Sequence, residues 1–552
     1  MNNKAATNDI GQMRYFIKFL SIFLTAILLI VSWPGDIAFP AIGDGFAATR
    51  AHAASGRHYS LSARIVSGAV TVTATSPSEF RTDDGMLHLY AADVYESSDS
   101  LHGRSIAFAS AGRTAVFHLS LKADTADSRL YKKFMVGAVI DGVMTMVSNA
   151  AYIVNPEAIA DHTVARVPAG KKGILPAAPI SAAALTSVGA DQATYNILLS
   201  QLLSSSGGTI PYEYNGRTYN FSAGLITAYD SMMQVFAQCG VRVSLIILND
   251  WQADQTTIHP SSRVPGAGHY YAFNASDAEG AQRLAAVGSF LASHYSGAHG
   301  QVDNFIIGNE VNARQDWNYM SAVDVDTYAR AIADSFRIFY TAIKSENANA
   351  GVYLPIDQQW SKTSEPGKYY GGRAFLDSFN SYIAREGNIG WDLAHHPYNV
   401  FLYNPTSWSN PSKYVSHSGD TWFITMQNIE VLTDYMCSAS YLKRDGSVRS
   451  ILCSEVGYTS SQGEGLQAAS VTFGYEQAMA NSHIDGFILS REKDDPGEIA
   501  QGLANGLRRQ DGSEKPAFAY YANLDTDNAQ AYKDAAAAVI GCGDISSILV
   551  YR

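Results

Sequence analysis

Two glutamates stand at the ends of apolar runs far apart in the chain. Asn304-Phe305-Ile306-Ile307-Gly308-Asn309-Glu310 closes a run of strand length on a glycine, an amide and a carboxylate. Ser450-Ile451-Leu452-Cys453-Ser454-Glu455 repeats the shape much later. A pair of carboxylates is the minimum equipment for cutting a glycosidic bond. One protonates the leaving oxygen, and the other attacks the sugar or activates water on its opposite face. Chemistry of this kind sits at the C-terminal ends of the parallel strands of an α/β barrel.

Other polar groups follow apolar runs in the same way. Val243–Leu248 ends in Asn249-Asp250-Trp251, and Trp391–Ala394 ends in His395-His396-Pro397-Tyr398. Trp317 and Tyr319 lie just past Glu310, Tyr458 just past Glu455, and Arg491 just past the run Asp485–Ser490. We take Asn249, Trp251, Trp317, Tyr458 and Arg491 as candidates for substrate contact. A single glutamate after an apolar run is more often a solvated loop residue or a helix cap. Two of them, each ending a strand of a βα repeat, shift the balance to catalysis. His395 and His396 could be metal ligands, but no third ligand stands at metal-site spacing, so neither metal nor cofactor is expected. Asp494 and Asp495 are expected in solvent, and Trp391 in the core.

The elements that must position these groups begin near Gly173, where strand-like and helix-like runs start to alternate. Strands are expected at 173–175, 195–199, 243–248, 304–310, 352–356, 391–394, 450–455 and 485–490. Helices are expected at 182–188, 223–238, 373–384, 426–436, 465–480 and 531–539. Leu284, Val287, Phe290 and Leu291 share one helical face, as do Tyr328, Ile332, Phe336, Phe339 and Ile343. A hairpin turn is expected at Tyr214-Asn215-Gly216-Arg217. Eight such units make a (β/α)8 TIM barrel of class α/β.

Before the barrel, residues 56–155 alternate with period two, as in Val70–Thr75 and Ala115–Leu121, with turn signals between the runs. That pattern predicts a β-sandwich of immunoglobulin or fibronectin type, acting as a spacer or a carbohydrate-binding module. Residues 156–172 read as a linker and 173–552 as the catalytic domain. Residues 1–55 hold Lys4, Arg14 and Lys18, then an uncharged run from Phe19 to Trp33. Such a run fits a signal peptide or an uncleaved membrane anchor, so a secreted or cell-surface protein is expected. Length agrees with two domains, since 552 residues exceed one ordinary core. A net charge of −12 argues against nucleic acid as a partner. The four cysteines are too few for a disulfide framework, though a single bridge is possible in an exported chain, and Cys453 is expected as a core thiol.

Gly308-Asn309-Glu310 resembles the fourth-strand Asn-Glu signature of clan A retaining glycoside hydrolases, and Ser454-Glu455-Val456-Gly457 is similar to their seventh-strand segment. The chain also resembles a group of bacterial exported proteins of this type. The resemblance runs from about residue 173 to 525. It implies a (β/α)8 glycosidase with Glu310 as acid/base, Glu455 as nucleophile and Asn309 on the sugar 2-hydroxyl. It further implies that His396 and Tyr398 orient the nucleophile and line the subsite. The chain departs from the family after the eighth strand, where Ser490-Arg491-Glu492 replaces a frequent Trp platform. Either Trp251, Trp317, Trp360 or Trp408 supplies that platform, or the substrate is charged enough to want Arg491. The expected function is an exported retaining glycosidase acting on an oligo- or polysaccharide. The alternatives are a non-catalytic cell-surface glycan-binding protein on the same scaffold and a metal-dependent hydrolase using His395 and His396.

Overall fold

Eight apolar runs of the C-terminal region become the eight parallel strands of a closed barrel. The structure is a computed structural model that describes residues 58–552. The apolar run Phe19–Trp33 lies outside the described residues. The barrel strands are Lys172–Ile174, Gln192–Leu198, Arg242–Leu248, Asn304–Ile307, Gly351–Ile356, Asp392–His395, Ile451–Val456 and Ile484–Leu489. Each pairs in parallel with the next, and the eighth closes on the first.

Alternation along these strands divides the core in two. Leu198, Ile246, Leu248, Ile306, Tyr353, Ala394, Leu452 and Ile488 fill the barrel interior. Their neighbours, such as Leu245, Phe305, Ile307 and Val352, pack outward under the helices. Both faces are buried, which is why these strands read as continuous apolar runs. The helix Ala223–Gln238 starts where Ser222 accepts a hydrogen bond from the Leu225 amide. The long helix Val325–Glu346 is capped by Asp324, which accepts from the Thr327 amide at 2.9 Å, and its predicted stripe from Tyr328 to Ile343 is buried.

Two details differ from expectation. The helix expected over 426–436 is a 3-10 turn, Met426–Asn428, followed by Glu430–Met436, because Thr425 and Asn428 cap the first turn reciprocally. An unexpected helix, Pro516–Asn523, packs behind the first strand. From it the Tyr521 hydroxyl donates to the Gly173 carbonyl at 2.7 Å and accepts from the Gly173 amide at 3.1 Å. A strand of three residues is thereby held by a side chain as well as by its two neighbours.

Residues 60–152 form two antiparallel sheets. One contains Ser60–Val66, Ala69–Thr75 and Thr114–Ser120; the other contains Met86–Ala92, Ala107–Ser110, Lys133–Ile140 and Val143–Met146, with Ala151–Tyr152 added at Lys133 and Phe134. Val70, Val72, Leu87, Leu89, Phe117, Phe134 and Val136 meet between them, the core expected of a sandwich. This layer is tied to the barrel at Tyr152. Its amide donates to the Glu386 carbonyl at 2.8 Å, and the Arg337 guanidinium lies 4.6 Å from its ring centre. The stretch that follows is pinned too, since His162 exchanges backbone hydrogen bonds with Glu346 and Ala348 at the end of a barrel helix.

Candidate active site

Glu310 comes off the fourth strand through a sharp turn. Gly308 has φ +87° and Glu310 itself has φ +37°. A glutamate in the left-handed region costs about 1–3 kcal/mol, a strain that clusters at functional sites. The turn directs the carboxyl inward, where it is buried. Glu455 reaches the same space by another device. Cys453 pairs with Phe487 and Val456 with Leu489, so the seventh strand carries one more residue than its partner across Ser454-Glu455. A bulge of this kind re-aims a side chain.

His396, just past the sixth strand, lies between the two carboxyls. Its Nδ1 is 2.9 Å from Glu310 Oε1 and 3.9 Å from Glu455 Oε2. Those two oxygens are therefore at most about 7 Å apart, the sum of the two distances, close enough to act on one bond. On its other side Glu455 Oε1 accepts a 2.6 Å hydrogen bond from the Tyr398 hydroxyl.

The electrostatics separate the groups. Burial raises the Glu310 pKa, and the Glu455 charge adds to the rise, while His396 opposes it by hydrogen bond and charge. Burial disfavours the His396 cation, but the Glu455 and Glu310 carboxylates outweigh it and leave the ring above its usual value. The Tyr398 hydroxyl is pushed far up by burial and by Glu455, so it stays a donor. The set is a buried acid biased to keep its proton, a second carboxyl held by a phenol, and an imidazole joining them. Chemically, it can donate a proton on one side of a bond and supply a nucleophile or a base on the other.

Three residues that the sequence reading did not single out belong to this cluster. Asp357, directly after the fifth strand, accepts from Asn312 Nδ2 at 2.5 Å and from the Gln359 amide at 2.9 Å. Burial, then the Glu310 charge, raises its pKa. Since Asn312 lies two residues past Glu310, Asp357 also fixes the loop that carries the acid. Glu498 is buried beyond the eighth strand, 3.2 Å from Arg491 Nη2, and burial pushes it up to about 8 against the pull of Arg491. Tyr270, from the loop after the third strand, is buried with its hydroxyl in the field of Asp250 and Glu455.

The expected substrate contacts divide. Asn309 is half-buried, and among the described residues its side chain forms no hydrogen bond, which leaves it available beside Glu310. Trp251 is half-buried against Tyr271, with ring centres 5.2 Å apart. Arg491 is half-buried beside the eighth strand, 3.2 Å from Glu498 and 3.7 Å from Asp495.

Asn249 must be reassigned. Its amide donates to the carbonyls of Thr257 and Tyr271 at 3.0 Å and of Ala272 at 3.3 Å, and its oxygen accepts from the Thr257 hydroxyl. These bonds hold the loop after the third strand, and the side chain is buried rather than turned to a sugar. Tyr458 is a core residue, its ring pressed against Gly474 of the helix Glu464–Met479. Trp317 is only 8% exposed, packed between His269 and Tyr270 as a lid on the barrel interior, and so offers no open platform. Trp360 is buried against Tyr435, and Trp408 packs far off with Ala469 and Ala536.

Asp494 and Asp495 are buried, contrary to expectation. Lys515 pairs with Asp494 at 2.7 Å, and Asp495 caps the short helix Pro496–Ile499. His395 is buried beside His396, and burial with that neighbour's charge lowers its pKa to about 3, so it is a neutral ring. All four cysteines are free, and Cys453 is buried as expected.

Residues 164–548 match the model of a family described as "Family of unknown function (DUF5722)". No curated protein sequence matches the chain. Among solved structures it is similar to a β-D-glucuronidase of Dictyoglomus thermophilum, with 10% identity and a TM-score of 0.36 over 85% of this chain and 68% of the other. It is similar to an exo-β-1,4-mannosidase of Opitutaceae bacterium strain TAV5, with 14% identity and a TM-score of 0.41 over 67% of this chain and 62% of the other. A β-glycosidase of Thermosphaera aggregans gives 14% identity and a TM-score of 0.40 over 63% and 85%.

Proposed function

We propose that this chain, which belongs to the DUF5722 family, is a glycoside hydrolase acting on an oligo- or polysaccharide with retention of configuration. The observation that carries the reading is the meeting of Glu310 and Glu455 around His396, with Tyr398 on the second carboxyl. Glu310 gives its proton to the glycosidic oxygen as the bond from that oxygen to the anomeric carbon breaks. Glu455 attacks the same carbon and forms a glycosyl ester. Water then attacks that carbon while Glu310, now a carboxylate, takes the water proton, and Glu455 leaves as the free carboxylate. The raised pKa of Glu310 supports its role as acid. The apolar run Phe19–Trp33 supports action outside the cell.

The test is the anomeric configuration of the first product. The protein is screened on aryl α- and β-glycosides of the common hexoses and uronic acids, and the released sugar is followed by proton NMR before mutarotation. Retention agrees with the double displacement. Inversion would keep the hydrolase and make Glu455 a base, and no turnover on any substrate, natural glycans included, would contradict the enzyme.

A further inference from the structure

Away from the cleft, three side chains from three elements converge on the outside of the barrel. Asp230 lies midway along the helix Ala223–Gln238, His294 ends the helix Ala278–His294, and His299 sits between the paired segments Ser296–Gly297 and Gly300–Gln301. His294 Nε2 is 2.8 Å from Asp230 Oδ1, and His299 Nδ1 is 3.3 Å from Asp230 Oδ2. One donor atom from each of the three residues lies within 4.8 Å of the other two.

The approach is built into the backbone. Gly300 has φ +92°, and a Cβ there would lie 2.6 Å from Met233 Cβ and 2.9 Å from the Met233 carbonyl. Only glycine lets this turn close on the helix one turn from Asp230. A further group is buried close to Asp230. The Tyr295 hydroxyl is wholly buried in the field of Asp230 and forms no hydrogen bond of good geometry among the described residues. Nothing in the glycosidase reading uses any of these residues.

We propose that Asp230, His294 and His299 form a binding site for a divalent first-row transition-metal ion such as zinc. Two imidazole nitrogens and one carboxylate oxygen are the donor set such ions take, with water in the remaining position. Calcium and magnesium want more oxygens than the site has. The two rings stack, with centres 4.1 Å apart and planes 9° from parallel. A bound ion lies in the plane of each ring it touches, so loading tilts the rings out of the stack. His299, whose side chain is 48% exposed, is free to make most of that movement. The ion would then tie the turn to both helices, a structural role remote from the catalytic pair.

The test uses the full chain, free of any affinity tag and treated with chelator, titrated with zinc chloride by calorimetry and followed by thermal unfolding. The expected result is one equivalent bound and a Tm raised by several degrees, with no rise from magnesium. His299→Ala should weaken zinc binding at least about tenfold and abolish the Tm rise, while its metal-free Tm stays at the wild-type value because the side chain is exposed. Cobalt should give the visible absorption of a four-coordinate site in the wild type only. Absence of zinc binding, an equal effect of magnesium, or unchanged binding in His299→Ala would each overturn the proposal.

Discussion

The Tyr398 hydroxyl donates a 2.6 Å hydrogen bond to Glu455 Oε1, and so fixes the carboxyl that a bulge in the seventh strand has turned into the cleft. Tyr398 follows the sixth strand and Glu455 ends the seventh, so adjacent barrel strands cooperate in holding one group. The other oxygen of Glu455 faces His396, which also holds Glu310. Four side chains thus form a continuous chain across the cleft.

Removing the phenol tests the first link. Tyr398→Phe keeps the ring and its packing but deletes a hydrogen bond to a charged group, worth roughly 1.5–3 kcal/mol. The expected outcome is a fall in kcat of about 10- to 100-fold with little change in Tm. Steady-state kinetics beside a melting curve check it. A variant with wild-type kcat would show that Tyr398 does not serve Glu455.

The pH profile tests the second link. Glu310 must be protonated to act as acid, so activity should fall as pH rises through its raised pKa. His396 is the group that pulls that pKa down. His396→Asn removes the cation, so the alkaline limb of kcat/KM should move to higher pH even as the maximum rate drops. A limb that moves to lower pH would mean that another group sets it.

Glu498 offers a stability test whose sign can be worked out. Its pKa in the folded protein is about 8, above the ordinary value of 4.5. Between those values the folded state keeps a proton that the unfolded chain has lost, so stability falls as pH rises through that window and levels off above it. Glu498→Gln mimics the protonated form and lacks the fall. Its Tm relative to wild type should therefore climb from pH 5 to pH 8.5. Melting curves at the two ends decide, and a constant difference would show that Arg491 keeps Glu498 ionised throughout.

Asn249 separates a clamp from a substrate contact. Asn249→Ala leaves the Tyr271 carbonyl without its donor and takes one of two donors from the Thr257 and Ala272 carbonyls, which keep the Asn274 and His259 amides, at roughly 1–3 kcal/mol. The expected result is a Tm lowered by several degrees with KM close to wild type. A KM effect at unchanged Tm would return Asn249 to the substrate.

Much of the barrel was legible because buried parallel strands write themselves as unbroken apolar runs. The strands expected at 304–310 and 450–455 are Asn304–Ile307 and Ile451–Val456, the first shorter because the chain turns at Gly308. The first strand writes only a faint signal in the sequence for a physical reason: it has three residues and leans on Tyr521, far away in sequence. Asp357 was missed although it follows Val352–Ile356 as Glu310 follows its own apolar run, so the same signal was there. Glu498 and Tyr270 gave none, since they come from loops whose course only the folded chain defines. Asn249 at a strand end and Trp317 on the loop past Glu310 misled because such positions promise the cleft but do not say whether the side chain faces it or is spent on packing and on the loop.

Azide rescue of Glu455→Ala, on an activated aryl glycoside that the wild type hydrolyses, tests Glu455 as the nucleophile most directly. This variant should lose at least about 10³-fold in rate, because the covalent route is closed. Azide should restore turnover and give a glycosyl azide of configuration opposite to the substrate, the small anion having attacked from the face that Glu455 occupied. Wild-type turnover in Glu455→Ala, or rescue that yields an azide of retained configuration, would contradict Glu455 as the nucleophile.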